Sequence, residues 1–573
     1  MTIALDRRAL LRAAALGGVG FGLSGLLPAW ARTGSHGLAA KESRPLSGEE
    51  IALSIDSRAF VVDGRTAHHA VTVNGTIPGP LLRLREGQRF RAAVTNHLDE
   101  DSSIHWHGLI LPFHMDGVPG VSFPGIRPGE TFVYDFPIVQ AGTYWYHSHS
   151  GLQEQQGHYG PLVIDPAGAD PVAYDREHVI VLSDWSFMHP HMIMARLKQE
   201  GHFFNRQQQS LARTLRGDNP LSAEERAMFA RMRMDPSDIA DVGAAAYTFL
   251  VNGHSPDENW TGLFRPGERV RLRIINAAAM TIFNLRIPGL AMTVVNADGL
   301  DVRPVEVDEF QISVAETYDV IVRPEEDRAF NLIAESVDRG GMARATLAPR
   351  LGMAVPPPPL RPRPTLSMRD MGMGGDHGHH GHGDHGAMRM RDKSLVPDHV
   401  KVGVGVDMIA PAPVDRTGDP GLGLDDVGHR CLTYRDLAAL EPNPDTRPPT
   451  RRIEVHLTGN MERFMWSFDG QRFSEGVEPI RLERDERVRV TLINNTMMAH
   501  PIHLHGHFFE VVNDHHGHHP RKHTVNVLPG GTVTFDLTAD APGDWAFHCH
   551  LLFHMHAGMM RVVTVRPMDG AAA

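Results

Sequence analysis

Two stretches of this chain are copies of one another. RPGETFVYDFPIVQAGTYWYHSH, from Arg127 to His149, aligns with LPGGTVTFDLTADAPGDWAFHCH, from Leu528 to His550, without a gap and 401 positions apart. Pro128, Gly129, Thr131, Asp135, Gly142, His147 and His149 fall on Pro529, Gly530, Thr532, Asp536, Gly543, His548 and His550. Duplication at this spacing requires a fold assembled from similar units. A second element occurs three times: REGQRFRAAVTN from Arg85, RPGERVRLRIIN from Arg265 and ERDERVRVTLIN from Glu483. Short alternating runs bounded by Gly, Pro, Asn and Asp, such as Ala70 to Val73 and Arg89 to Thr95, read as half-buried strands of sandwiches or barrels. The expected fold is therefore all-β, in three similar β-domains.

The repeats carry histidines at fixed places. Nine residues after the closing Asn stands HWH in the first copy (His105, His107) and HLH in the third (His503, His505), whereas the second copy holds Leu285 and Ile287 there. Domain 2 has kept the strand and lost the polar side chains, so it reads as a spacer that brings domains 1 and 3 together. The duplicated segments end in HSH (His147, His149) and HCH (His548, Cys549, His550), and the latter continues as HCHLLFHMHAGM. A Cys thiolate, two imidazoles and a weak axial thioether make a blue-copper ligand set. Side chains alternate along a strand, so Cys549 points away from His548 and His550, and His500 points away from His503 and His505. His500, Cys549, His554 and Met559 then form one copper site. The remaining eight, His105, His107, His147, His149, His503, His505, His548 and His550, come equally from domains 1 and 3 and can enclose three more ions where those domains meet.

Composition supports metal and excludes nucleic acid. A formal charge of -12 over 573 residues offers no basic footprint for phosphates. The 36 His and 26 Met are both copper-binding types. The two Cys are Cys431 and Cys549; with Cys549 given to metal no disulfide is possible, and Cys431 reads as a small buried hydrophobe. Arg7 and Arg8 precede a Gly- and Ala-rich apolar stretch that ends in Ala29-Trp30-Ala31, so residues 1–31 read as a cleavable twin-Arg export signal. No later apolar run is long enough to span a bilayer, and no stable membrane insertion is expected after signal removal.

The domains expected are 45–170, 175–350 with a helical insert at 186–242, and 401–567. Ser222 and Glu225 form a capping box, and the helix they start should end before Pro236; Met228 and Met232 share a face at i, i+4 beside Met234. Residues 351–400 are Pro-rich and then His- and Met-rich (Met368 to Met390), and read as a mobile linker. The loop NDHHGHHPRKH adds His515, His516, His518, His519 and His523, and is expected to lie near the blue site.

These clusters resemble those of the multicopper oxidases, which include laccases and ascorbate oxidase, and most closely the bacterial copper resistance protein A group. LSDWSFMHPHMIMARLKQ, FRPGERVRLRIINAAAMT, IPGLAMTVVNADG, VAETYDVIV and HCHLLFHMHAGM carry the closer likeness, which covers nearly the whole mature chain. The resemblance implies three cupredoxin-like domains and four coppers: one type 1 as above, one type 2 on His105 and His503, and two type 3, one on His107, His147 and His550 and one on His149, His505 and His548. It implies four successive one-electron oxidations of a reductant coupled to reduction of dioxygen to two waters; the protein is expected to be periplasmic and a monomer. Asp116, in HMDGVPG, matches the carboxylate that relatives place beside the cluster as a proton relay, and Cys549 lies on the electron route. Met555 stands where some relatives carry a Glu thought to pass protons, so a second proton route is not provided at that position. The Met- and His-rich segments suit cuprous ion, possible additional labile copper and a role in copper tolerance; a phenolic reductant, and plain copper sequestration, are the alternatives.

Overall fold

The computed structural model describes residues 38–208, 210–217, 221–232, 234–373, 390 and 392–567. The proposed export signal, 1–31, and the centre of the His-rich tract, 374–389, lie outside the described residues. The three copies of the repeated element form the same strand three times: Arg89–Asn96, Val270–Asn276 and Arg487–Asn494. Each runs parallel to one neighbour, Glu50–Val62, Arg176–Ser186 or Arg451–Asn460. Each is antiparallel to another, Thr131–Pro137, Thr317–Val322 or Gly531–Thr538. With a second, five-stranded sheet in every unit, the chain is three β-sandwiches. Arg89–Asn96 alternates between buried and more exposed positions as a half-buried strand should, but Val270–Asn276 is buried throughout because the neighbouring units cover it. Ala70 to Val73, expected to be half-buried, is likewise wholly buried.

The second sheet shows what domain 2 lost. His105 pairs with His147 across one ladder and His503 with His548 across its counterpart; in domain 2 the equivalent pair is Leu285 and Ala334. The register survives while the side chains have become apolar. The repeated glycines have a steric reason. Gly142 and Gly543 both begin their strands at positive φ, +139° and +152°, and a Cβ would fall 2.0 Å from the Gly299 carbonyl in the first case and 2.5 Å from Phe113 Cβ in the second.

The domain 2 insert folds as helices Pro190–Gln199, Leu211–Arg216 and Ala223–Met232. The Glu225 N–H donates to Ser222 Oγ (3.2 Å) and the Ser222 N–H to Glu225 Oε2 (2.8 Å), a reciprocal cap. Residues 351–373 are not free linker. Arg361 bridges Glu309 and Glu335 of domain 2 at 2.5 and 2.6 Å, and Leu366 and Met371 are buried. Met371 and Met390, on either side of the His-rich stretch, join Phe229, Met232, Met408 and Met497 in one apolar cluster.

Domain 2 is fastened to domain 3 by buried charge. Lys522 Nζ lies 3.0 Å from Asp298 Oδ1 and 3.1 Å from Glu316 Oε1, with no exposure of either Lys522 or Asp298. Removing only the cation leaves two carboxylates uncompensated. Lys522→Met is expected to cost about 3–5 kcal/mol, read from the urea-unfolding midpoint; a loss under about 1 kcal/mol would show that the pair does not secure the interface.

Candidate metal centres

The sandwich of domain 3 brings the Cys549 loop against the strand His500–Leu504. Cys549 Sγ lies 3.6 Å from His500 Nδ1 and 3.8 Å from His554 Nδ1, and the two Nδ1 atoms are 3.2 Å apart. All three residues are fully buried. Met559 is also buried, and its carbonyl accepts from the Cys549 N–H at 3.1 Å. Trp466 stacks on His554 with centroids 3.9 Å apart. His554 Nε2–H donates to Asp241 Oδ2 at 2.6 Å, and the Thr496 hydroxyl meets His500 Nε2 at 2.7 Å. Burial pushes the Asp241 carboxyl up to about 7 and the Cys549 thiol well above its usual range.

The eight other histidines converge between domains 1 and 3. His107, His147 and His550 bring donor atoms within 4.8 Å of one another, as do His149, His505 and His548, and His105, His503 and His505. Their tautomers are fixed from outside. His105 Nδ1–H donates to the Asp116 carbonyl (2.7 Å), His503 Nδ1–H to the His523 carbonyl (2.7 Å), His505 Nδ1–H to Asp116 Oδ2 (2.8 Å) and His548 Nδ1–H to the Cys549 carbonyl (3.0 Å). Each Nε2 is thereby left with a lone pair directed inward. His505 Nε2 and His548 Nε2 then face each other at 3.0 Å, and His149 Nε2 and His548 Nε2 at 3.4 Å. Opposed lone pairs at that distance repel unless a cation lies among them, so the residues present fit copper. Nε2 of His105, His107, His147, His503 and His550 has no hydrogen-bond partner and is ready for the same purpose. Burial, reinforced by neighbouring imidazoles, holds His107, His147, His149, His503, His505 and His550 well below the usual imidazole range and therefore neutral.

Glu154 and Asp241 were not legible as partners in the sequence, whereas Asp116 was expected beside the cluster. Asp116 touches histidines of both domains: its Oδ2 accepts from His505, and its Oδ1 lies 3.3 Å from His105 Nδ1. Glu154, buried in domain 1, places Oε2 2.7 Å from His147 Nδ1, whose N–H donates to the Ser148 carbonyl at 3.0 Å, and burial holds the Glu154 carboxyl well above the carboxylate range. It places a second carboxylate at the cluster, from the opposite domain to Met555. Asp241 comes from the insert, more than three hundred residues from its partner His554; no spacing rule links such positions. The His-rich loop takes another place than expected. His515 and His518 bond to the carbonyls of Arg435 and Ala439, and only its last member, His523, reaches inward, to the inter-domain cluster rather than the blue site. Cys431 is half-buried rather than buried, and burial pushes its thiol up to about 12, which disfavours the thiolate.

Three multicopper oxidase family models match the chain over residues 54–169, 176–349 and 446–569. The chain is 46% identical to copper resistance protein A of Escherichia coli, with 99% of this chain and 100% of that protein covered. It is 49% identical to a copper resistance protein A homolog of Pseudomonas syringae pv. tomato, over 91% of this chain and 93% of that one. Among solved structures it resembles Fet3p, described as a multicopper oxidase that functions in iron import, with TM-score 0.64, 21% identity and 91% and 90% of the two chains covered. It also resembles the laccase from Botrytis aclada, with TM-score 0.62, 22% identity and 91% and 88% covered. With buried imidazole clusters at the seam of two cupredoxin-like domains, and these relatives at hand, the chain belongs to the multicopper oxidase family. It is a copper-dependent oxidoreductase.

A carboxylate hydrogen-bonded to the far nitrogen of a ligand imidazole raises that ligand's basicity and favours the more oxidised metal. Asp241→Asn should therefore raise the reduction potential of copper held by His500, Cys549 and His554, measured by redox titration of its visible absorption. An unchanged or lowered potential would show that the Asp241 contact does not tune the site.

Proposed function

We propose that the protein is an exported, periplasmic cuprous oxidase serving copper tolerance, active as a monomer. His500, Cys549, His554 and Met559 would hold type 1 copper; His105 and His503 type 2; His107, His147 and His550 one type 3 copper; and His149, His505 and His548 the other. Bound there, copper supplies one-electron redox chemistry, so that four cuprous ions, four protons and one dioxygen give four cupric ions and two waters. The chain's own part is to guide electrons and protons. Cys549 is bonded through the backbone to His548 and His550, a short covalent route from the blue site to the cluster. Asp116, hydrogen-bonded to His505, and Glu154, 2.7 Å from His147 Nδ1, are placed to hold and hand on protons beside the cage.

The observation that supports cuprous ion as reductant is a cleft of about 310 Å³ beside the blue site. Met232, Met234, Met408, Met461 and Met497 line it together with His202, Asp235, Asp238, Asp407, Glu462 and Thr496. Thioethers favour the soft cuprous state, and carboxylates can accept the harder cupric product. Thr496 ends the cleft 2.7 Å from His500 Nε2, so an ion there is one hydroxyl away from a blue-site ligand. Among the described residues no Phe, Tyr or Trp lines the cleft to stack on a phenol ring.

Oxygen uptake by the copper-loaded protein, with anaerobically prepared cuprous ion or with a phenol, tests this reading. Uptake should be faster with cuprous ion, and Met461→Leu with Met497→Leu should raise the KM for cuprous ion about tenfold, the equivalent of ~1.4 kcal/mol, leaving phenol turnover unchanged. Faster uptake with phenols would overturn it in favour of a laccase-like role. Cys549→Ser should abolish both uptake and tolerance; tolerance without uptake would mean sequestration.

A further inference from the structure

The strand that recurs in the three domains ends in an asparagine that pins the turn after it. In domain 2 Asn276 Oδ1 accepts from the Ala278 N–H at 3.1 Å, and in domain 3 Asn494 Oδ1 accepts from the Thr496 N–H at 2.9 Å. The two turns serve one place. The turn of domain 3 carries Thr496, whose hydroxyl meets His500 Nε2 of the blue site. The turn of domain 2 carries Ala279 and Met280, which reach the same site from outside.

Their target is the short helix Leu552–Ala557, on which His554 lies. A helix begins with N–H groups that its own turns leave unsatisfied, and Leu551, at the cap position, offers no side-chain acceptor. Domain 2 supplies the acceptors instead. The Leu552 N–H donates to the Ala279 carbonyl at 2.9 Å, and the Phe553 N–H donates to Met280 Sδ at 3.4 Å. Ala279, Met280, Leu552 and Phe553 are all buried, so water does not take over these bonds.

One carboxylate holds the turn. Asp184, in the segment LSDWSFM, accepts from the N–H groups of Ala279 (2.9 Å) and Met280 (3.0 Å) and from the Thr281 hydroxyl (2.7 Å). Its own backbone carbonyl accepts from Gln155 Nε2 of domain 1 at 2.8 Å. A buried carboxylate with three donors on one turn fixes that turn, and the turn in its place fixes the helix of a blue-site histidine.

We propose that Asp184 and Met280 are positioning residues of the blue site: from domain 2 they cap the His554 helix, hold the imidazole against Cys549 and thereby tune the redox balance of the metal. The domain that lost its own histidines still shapes the site of another. The proposal rests on the reading that His500, Cys549, His554 and Met559 hold copper. A firmly placed imidazole favours the cupric state, because cuprous ion is the softer and relies more on sulfur; loosening the helix shifts the balance towards cuprous.

The copper-loaded full chain carries the test. Met280→Leu keeps the volume and removes the acceptor, so the unfolding midpoint should stay near that of the wild type. Amide hydrogen exchange at Phe553 should become at least about tenfold faster. The cuprous-to-cupric ratio at a fixed applied potential, read from the visible absorption, should rise at least about threefold. Asp184→Asn, which puts a donor where an acceptor stood, should move exchange and ratio in the same direction. Unchanged exchange would overturn the proposal, and faster exchange with an unchanged ratio would do so too, by reducing the contact to a structural cap. Since Met280→Leu conserves packing, an Asp184→Asn that fails to fold does not protect it. A wild-type chain without the visible absorption would instead overturn the copper assignment, a result told apart from the others because it needs no variant.

Discussion

The gathering of imidazole nitrogens into one buried seam is the constraint around which the molecule is arranged. Proton-free nitrogens that face one another at 3.0 and 3.4 Å call for a cation among them. The rings are held from behind, His505 by Asp116 and His548 by the Cys549 carbonyl, and domain 1 brings His149 against that pair from domain 3. Parting domains 1 and 3 would disperse these donors. Domain 2 opposes that separation through Asp298 and Lys522 on one side and through Arg273 to Thr143 on the other, at 3.0 Å.

The blue site and the cage stand in different surroundings, although neighbouring residues of one strand serve both. The blue site is walled by Trp466, Phe464 and buried methionines and opens, by way of Thr496, towards a methionine-lined cleft. The cage is lined by imidazoles and backed by Asp116 and Glu154. This division follows from strand alternation: one residue step turns the side chain from an apolar, sulfur-rich environment to a nitrogen-rich one.

The sequence disclosed whatever is local or repeated. The strand Arg487–Asn494, the HxH pairs and the cysteine between two histidines each follow from spacing within a few residues, and the duplication showed which domains carry them. What it did not disclose depends on long-range packing. Asp241 reaches His554 from an insert with no counterpart in the other domains, and Glu154 looked like one polar residue among several in QEQQ. His523 was visible as a histidine, but its loop could be placed only once the pairing of Asp298 with Lys522 was known. The flanks of the His-rich tract misled in the other direction: Pro- and Met-rich composition suggested free chain, yet Arg361 and Met371 find buried partners in domain 2 and its insert.

Leu285 opposite Ala334 has a consequence for how the protein acquires its metal. The same ladder forms there with no ligand to bind, so the strand pairing that sets His105 against His147 and His503 against His548 comes from backbone bonds and the core, not from copper. The ligands are thus preorganised by the fold, unlike those of small metal domains in which binding and folding are a single event. Copper would meet donors whose places the strand pairing has already set.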